Sequence, residues 1–364
     1  MGPVPYTVLT PMSGINTPGR VRRTLSPIRS AGLFALFFCI SVGLGYPILN
    51  RYDPRNIEGM SDVSSYAAIA SGAPVPGPDH MRYRVLIPYI ARPFYRLANG
   101  RVGTWNPLTF GLLIADSLFV AATAVLIIVI GTNVLSSFPA SLVAALLYMV
   151  NFCVPNMRLA GLVDAGEGFF LLALFWSLWS RRWWLLPIIS VLGALTKESF
   201  MPFAFAFLMA WFVVQRKGIE FPIRVAIWIA GSWLTGLLAL IAVQSWLQGS
   251  FVNPVAFGAS LHQNHEYLRH FALSSLDRNS WFIFFWLLPL GIPRLRTIPR
   301  SWLLPTVATA VTAFVLDGYY GGAGGTVGRA LFSIAGPILA LSSASFLLGQ
   351  DCAPARAAAK EISA

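Results

Sequence analysis

The chain has 364 residues, 11% of them charged, and a mean hydropathy of +0.66. A water-soluble domain carries about 25% charged residues, so a soluble globular enzyme is excluded and a polytopic membrane protein is expected. The formal net charge of +12 comes from arginines grouped at the ends of apolar runs; no basic soluble face is present, which excludes a nucleic-acid-binding reading.

Residues 1–30, rich in Pro, Ser, Thr and Arg without apolar periodicity, read as a flexible cytoplasmic tail. Ten apolar runs follow, at about 31–50, 107–130, 138–154, 160–179, 183–196, 199–214, 222–246, 280–292, 301–316 and 330–348. Runs of roughly 17–25 residues match a hydrocarbon core of about 30 Å. The expected fold is therefore all-α: a polytopic transmembrane helix bundle of about ten spans, occupying residues 31–349. The fifth and eighth runs are short, as for tilted helices or half-helices lining a cavity. The first follows Arg20, Arg22, Arg23 and Arg29 without a small-residue cleavage site and reads as a retained signal anchor.

Charge sorts the two sides. With the N-terminus cytoplasmic, Arg181, Arg182, Arg216, Lys217, Arg224, Arg294, Arg296 and Arg300 fall on the cytoplasmic side together with the 350–364 tail, as the positive-inside rule requires. Most of the acids, and His80, His262, His265 and His270, fall on the other side. Cys39, Cys153 and Cys352 suggest neither a disulfide framework nor a metal knuckle.

The largest outer segment, 51–106, contains "SDVSSYAAIASG", which reads as a short helix with Ser61 or Asp62 as N-cap. Asp62 is either that cap or a carboxylate able to take a proton from a hydroxyl. "GAPVPGPDH" then breaks the chain. "MRYRVLIPYIARPFYRLANG" follows as an amphipathic interfacial helix whose arginines would reach toward headgroup phosphates. At its start Asp79, His80, Arg82, Tyr83 and Arg84 cluster, and the planar forks of Arg82 and Arg84 suit a lipid phosphate as well as ordinary headgroup anchoring.

Asp164 and Glu167, three apart at the start of the fourth run, share a helical face. An acid inside a span costs about 2.5–3.5 kcal/mol on insertion scales and is usually functional or paired. Lys197 and Glu198 fall between the fifth and sixth runs, where the lysine can meet a phosphate and the glutamate can orient it, or both mark a hairpin turn. Arg329, after the Gly-rich "DGYYGGAGGTVGR", presents the same choice. His265 and His270 stand five apart, which does not match the helical spacing of a zinc motif, and "GGAGGTVGR" lacks the ending of a P-loop.

Taken together, the first-loop acid, "RYRVLIPYIARP", "LVDAGEGFFLLALF", "LTKES" and "GRALFSIAGPILAL" resemble the GT-C superfamily of polytopic glycosyltransferases. The resemblance implies inverting transfer of a sugar from a polyprenyl-phosphate donor to a glycan, lipid or protein acceptor on the extracytoplasmic face of a membrane; the short loops and small size fit the bacterial cytoplasmic membrane, and an endoplasmic reticulum membrane would present the same face to the lumen. It places the catalytic base at Asp62, with Asp53 and Glu58 as weaker competitors. Asp62 lacks the adjacent acid often found in that family, so Asp79 or Asp164 would supply a second carboxylate.

In that scheme Arg82, Arg84, Lys197 and Arg329 hold the lipid phosphate, and Asp79, His80, Tyr83, Asp164, Glu167, Glu198 and His265 bind or support the substrate. The sequence specifies no cofactor, and a divalent cation is an open alternative, held by Asp62, Asp79 and nearby histidines if the fold brings them together. The alternatives are a transporter or flippase of lipid-linked sugars, and a non-catalytic subunit of an envelope-assembly complex with a protein partner.

Overall fold

The computed structural model describes residues 25–51, 61–75, 79–101, 105–216, 219, 222–252, 266–320 and 326–349. Among these residues the regular elements are all helices. In chain order they are α1 (Pro27–Arg51), α2 (Ser61–Ser71), α3 (Leu86–Ala98), α4 (Pro107–Val134), α5 (Phe138–Val150), α6 (Asp164–Trp179) and α7 (Leu185–Thr196). Then come α8 (Phe200–Gln215), α9 (Pro222–Gln248), α10 (Tyr267–Ser275), α11 (Arg278–Phe284), α12 (Leu287–Gly291), α13 (Arg300–Tyr320) and α14 (Thr326–Leu347).

Local chemistry sets the boundaries. Proline opens α1, α4 and α9, where its missing N–H costs nothing. The Asn106 side chain caps α4 by accepting from the N–H groups of Leu108 and Thr109 at 2.9 and 3.3 Å. The Ser137 hydroxyl does the same for α5, accepting from the Ala140 N–H at 3.3 Å.

Among the described residues five helices, α1, α4, α9, α13 and α14, are long and apolar enough to cross a membrane. Four more of the ten expected spans are helices of 12 to 16 residues, α5 to α8. At about 1.5 Å per residue these cover roughly 18–24 Å, short of the full hydrocarbon thickness. The expected span at 280–292 is not continuous: it is divided between α11 and α12, followed by a 3-10 turn over Ile292–Thr297. Pro289 and Pro293 fall in this stretch, and each removes a backbone donor that a continuous helix would need.

Helices α4 and α14 form the centre. α4 packs against α1, α3, α5 and α6, and α14 against α5, α6, α12 and α13. Their most apolar windows are 67% and 78% buried, against 28% for α1 and α9, which therefore present most of their surface outward. Leu304, Val307, Val311 and Val315 are exposed along one face of α13, and Ile223, Ile227, Leu234 and Leu238 along α9. Apolar stripes of that size on a helix bundle suit contact with lipid. Stacked rings lock the centre: Phe175 lies on Trp302 with centroids 4.1 Å apart, and Tyr148 on Phe332 at 5.1 Å.

Candidate functional site

The short helix α2 runs from Ser61, so Asp62 lies in its first turn and its charge sits at the positive end of the helix dipole. One turn later Tyr66 is buried at 1% exposure. Its hydroxyl accepts a 2.7 Å hydrogen bond from Arg84 Nη1 and donates to the Met81 sulfur at 3.6 Å. Burial pushes the Tyr66 phenol up to about 12 against the pull of the Arg84 charge, so it stays neutral.

Arg84 follows the 3-10 turn Asp79–Tyr83 and faces inward. Its Nε donates to Glu198 Oε2 at 2.8 Å while Nη2 meets Oε1, a two-pronged pair. Burial disfavours the charged form of Glu198, yet the Arg84 charge and its hydrogen bonds outweigh that and hold the carboxyl down at about 2. Glu198 therefore turns to Arg84 rather than orienting its neighbour Lys197.

Lys197 ends α7 and reaches α6. Its Nζ lies 2.9 Å from Asp164 Oδ1 and 3.5 Å from Glu167 Oε2. The Ser199 hydroxyl donates to the other oxygen of Glu167, and Arg329 Nη1, from the first turns of α14, lies 3.4 Å from Asp164 Oδ2. All four carboxylate oxygens of the α6 pair thus face a donor. Asp62 stands within electrostatic reach of both Arg329 and Tyr66. The structure therefore gathers Asp62, Arg84, Asp164, Glu167, Lys197, Glu198 and Arg329 at one end of the bundle, where α7 ends and α6, α8 and α14 begin.

The remaining expected site residues lie elsewhere or outside the described set. Arg82 is exposed on the 3-10 turn, whereas Tyr83 is buried and its hydroxyl meets the Gln248 side-chain amide at the end of α9. The Asp79 and His80 side chains, His262, His265, Asp53 and Glu58 fall outside the described residues. Arg92, expected at headgroups, instead donates to the carbonyls of Ile69 and Ala70 at 2.8 and 3.1 Å, closing the free C-terminal end of α2.

Sequence reasoning missed a deeper layer. Arg158 is fully buried; its Nη1 donates to the Tyr148 hydroxyl at 2.6 Å and its Nη2 to the Ser333 hydroxyl at 2.7 Å. The guanidinium carbon lies 5.0 Å from the centre of the Phe332 ring. Room for it comes from Gly168, where a Cβ would collide with Arg158 Nη1. Close approach at the glycines of α6 is thus by the protein's own side chains.

Asp116, fully buried in α4, accepts the Gly161 N–H at 3.1 Å through Oδ2. Gly161 adopts φ +81°, a left-handed turn that glycine takes readily and that redirects the chain into α6. Among the described residues, Asp116 Oδ1 and Arg158 Nε have no hydrogen-bond partner. A lone acid inside a 28-residue apolar helix was the available signal.

Compared with protein-family models, with curated proteins and with solved structures, the chain matches none of them.

Proposed function

We propose that the protein is an integral membrane glycosyltransferase that moves a sugar from a polyprenyl-phosphate donor to an extracytoplasmic acceptor with inversion. The observation that supports this reading is that the first-loop carboxylate Asp62 lies within electrostatic reach of Arg329, which together with Lys197 faces the Asp164–Glu167 pair at one end of an apolar bundle.

In the proposed reaction the acceptor oxygen attacks the anomeric carbon while the bond from that carbon to the donor's phosphate oxygen breaks. The acceptor proton passes to Asp62, and polyprenyl phosphate leaves with the bonding electrons. Negative charge grows on the leaving phosphate, where Arg329 and Lys197 would stabilise it; fixed charges of this kind lower the barrier because they need not reorganise. Arg84, held by Glu198 and Tyr66, fixes α2 and hence Asp62 in place. The isoprenoid tail would lie along outward apolar surface at this end, where Trp246 and Phe251 are exposed close to the turn that α9 packs against.

One observation favours a second reading, a flippase of lipid-linked sugars: Arg84, Lys197 and Arg329 each already face a carboxylate, an arrangement suited to exchanging partners during transport. The deciding experiment supplies radiolabelled polyprenyl-phosphate sugars to proteoliposomes with envelope acceptors. The transferase reading expects label to leave the lipid and enter the acceptor; label that changes leaflet while remaining on the lipid would establish the flippase and end the transferase reading.

A further inference from the structure

We infer that the Lys197 ammonium is the built-in counter-cation of the Asp164–Glu167 pair and stands where a divalent ion would otherwise bind, so that this site works without a metal. Two acids three residues apart at the start of a helix are the kind of oxygen-rich pair that holds Mg2+ or Mn2+. Here Lys197 Nζ lies between them, at 2.9 Å from Asp164 Oδ1 and 3.5 Å from Glu167 Oε2. The two outer oxygens are also occupied, Glu167 Oε1 by the Ser199 hydroxyl and Asp164 Oδ2 by Arg329 at 3.4 Å.

The residues therefore do not fit a resident divalent cation. An ion entering this site would meet an ammonium at close range, and every carboxylate oxygen it could use already faces a donor. Burial works against a charge on Lys197, but the Asp164 and Glu167 charges outweigh it and raise its proton affinity above the ordinary lysine value, so the ammonium persists at neutral pH.

Removing the ammonium reverses this. Asp164 and Glu167 would then face each other with only Arg329 and Ser199 in support, and their mutual repulsion would favour capture of a small hard cation. Metal-free sugar transfer rests on the transferase reading above, whereas the exclusion of a cation by Lys197 does not.

The test titrates Mn2+ into full-length protein in nanodiscs after EDTA treatment and desalting, with free ion read from its electron paramagnetic resonance signal. The native protein is expected to hold no ion that Asp164→Asn removes. Lys197→Ala is expected to hold about one additional ion per chain, the single ion a carboxylate pair accommodates, and Lys197→Ala with Glu167→Gln to lose it. A native protein whose bound Mn2+ disappears in Asp164→Asn would overturn the inference, as would a folded, monodisperse Lys197→Ala that binds none.

The native arm needs no Lys197 variant and stands even if that variant fails to fold. In the transfer assay, native activity is expected to be equal with and without EDTA, and loss in EDTA with recovery on Mn2+, accompanied by Mn2+ binding that Asp164→Asn removes, would also overturn the inference. A complete absence of sugar transfer would count against the transferase reading alone, because the Mn2+ titration decides the cation's place independently.

Discussion

Arg84 grips Glu198 through Nε and Nη2 at once, joining residues 114 apart in the chain and binding the segment between α1 and α4 to the α7–α8 turn. The same guanidinium reaches Tyr66, one turn beyond Asp62 on α2. A single side chain thus sets the position of the first-loop acid relative to Lys197 and its carboxylates.

Breaking that pair should loosen the site. Removing one partner of a fully buried ion pair costs about 3–5 kcal/mol; with Glu198 26% exposed, Arg84→Ala is expected to fall toward about 2–3 kcal/mol after solvent screening. The thermal midpoint in detergent should drop. The double variant Arg84→Glu with Glu198→Arg should recover part of the loss, and no recovery would deny the pair its positioning role.

Acid should remove the same contribution. Glu198 is held at about 2, below its ordinary 4.5, so its stabilisation is fully present above pH 4.5 and is lost as the pH falls toward 2. The native protein should be more stable than Glu198→Gln at neutral pH, and that advantage should shrink between these limits. A difference independent of pH across this window would contradict the assignment.

Gly168→Ala inverts the usual rule for helices. Alanine is favoured over glycine inside a helix by about 1 kcal/mol, yet here the new Cβ would run into a fully buried guanidinium held by Tyr148 and Ser333. Overpacking of this kind costs about 1–3 kcal/mol. The variant should melt below the native protein, whereas Gly231→Ala in α9, with nothing within 4 Å of its Cβ, should not.

Asp116 separates hydrogen bonding from charge. Asp116→Asn keeps an oxygen for the Gly161 N–H and should stay close to native in stability. Asp116→Leu leaves that buried donor unsatisfied, at a cost of about 1–3 kcal/mol. Equal damage from both, read as thermal midpoint, would assign the role to the carboxylate charge instead.

Much of the bundle is legible in the sequence because a hydrocarbon solvent demands long apolar runs, and α1, α4, α9, α13 and α14 answer that demand directly. The run at 280–292 is misleading because hydropathy averages over Pro289, whereas helix continuity depends on single donors. Asp164 and Glu167 are legible as one helical face, and Lys197 and Glu198 as a hairpin between runs. Their pairing is not, since Glu198 finds Arg84 and Lys197 finds the α6 acids only through tertiary packing. Arg158 in "NMRLAGL" looks like an ordinary loop cation, and nothing local announces that Gly168 makes room for it.

The most direct measurement compares native protein and Asp62→Asn, at equal folded amounts in proteoliposomes, for transfer of radiolabelled sugar from polyprenyl phosphate to an envelope acceptor. The substitution preserves the size of the side chain while removing its ability to take the acceptor's proton. The account predicts transfer by the native protein and loss of at least about a hundredfold in the variant, the lower end of what a positioned general base contributes. Full transfer by Asp62→Asn would contradict it and move the base to another acid of the cluster.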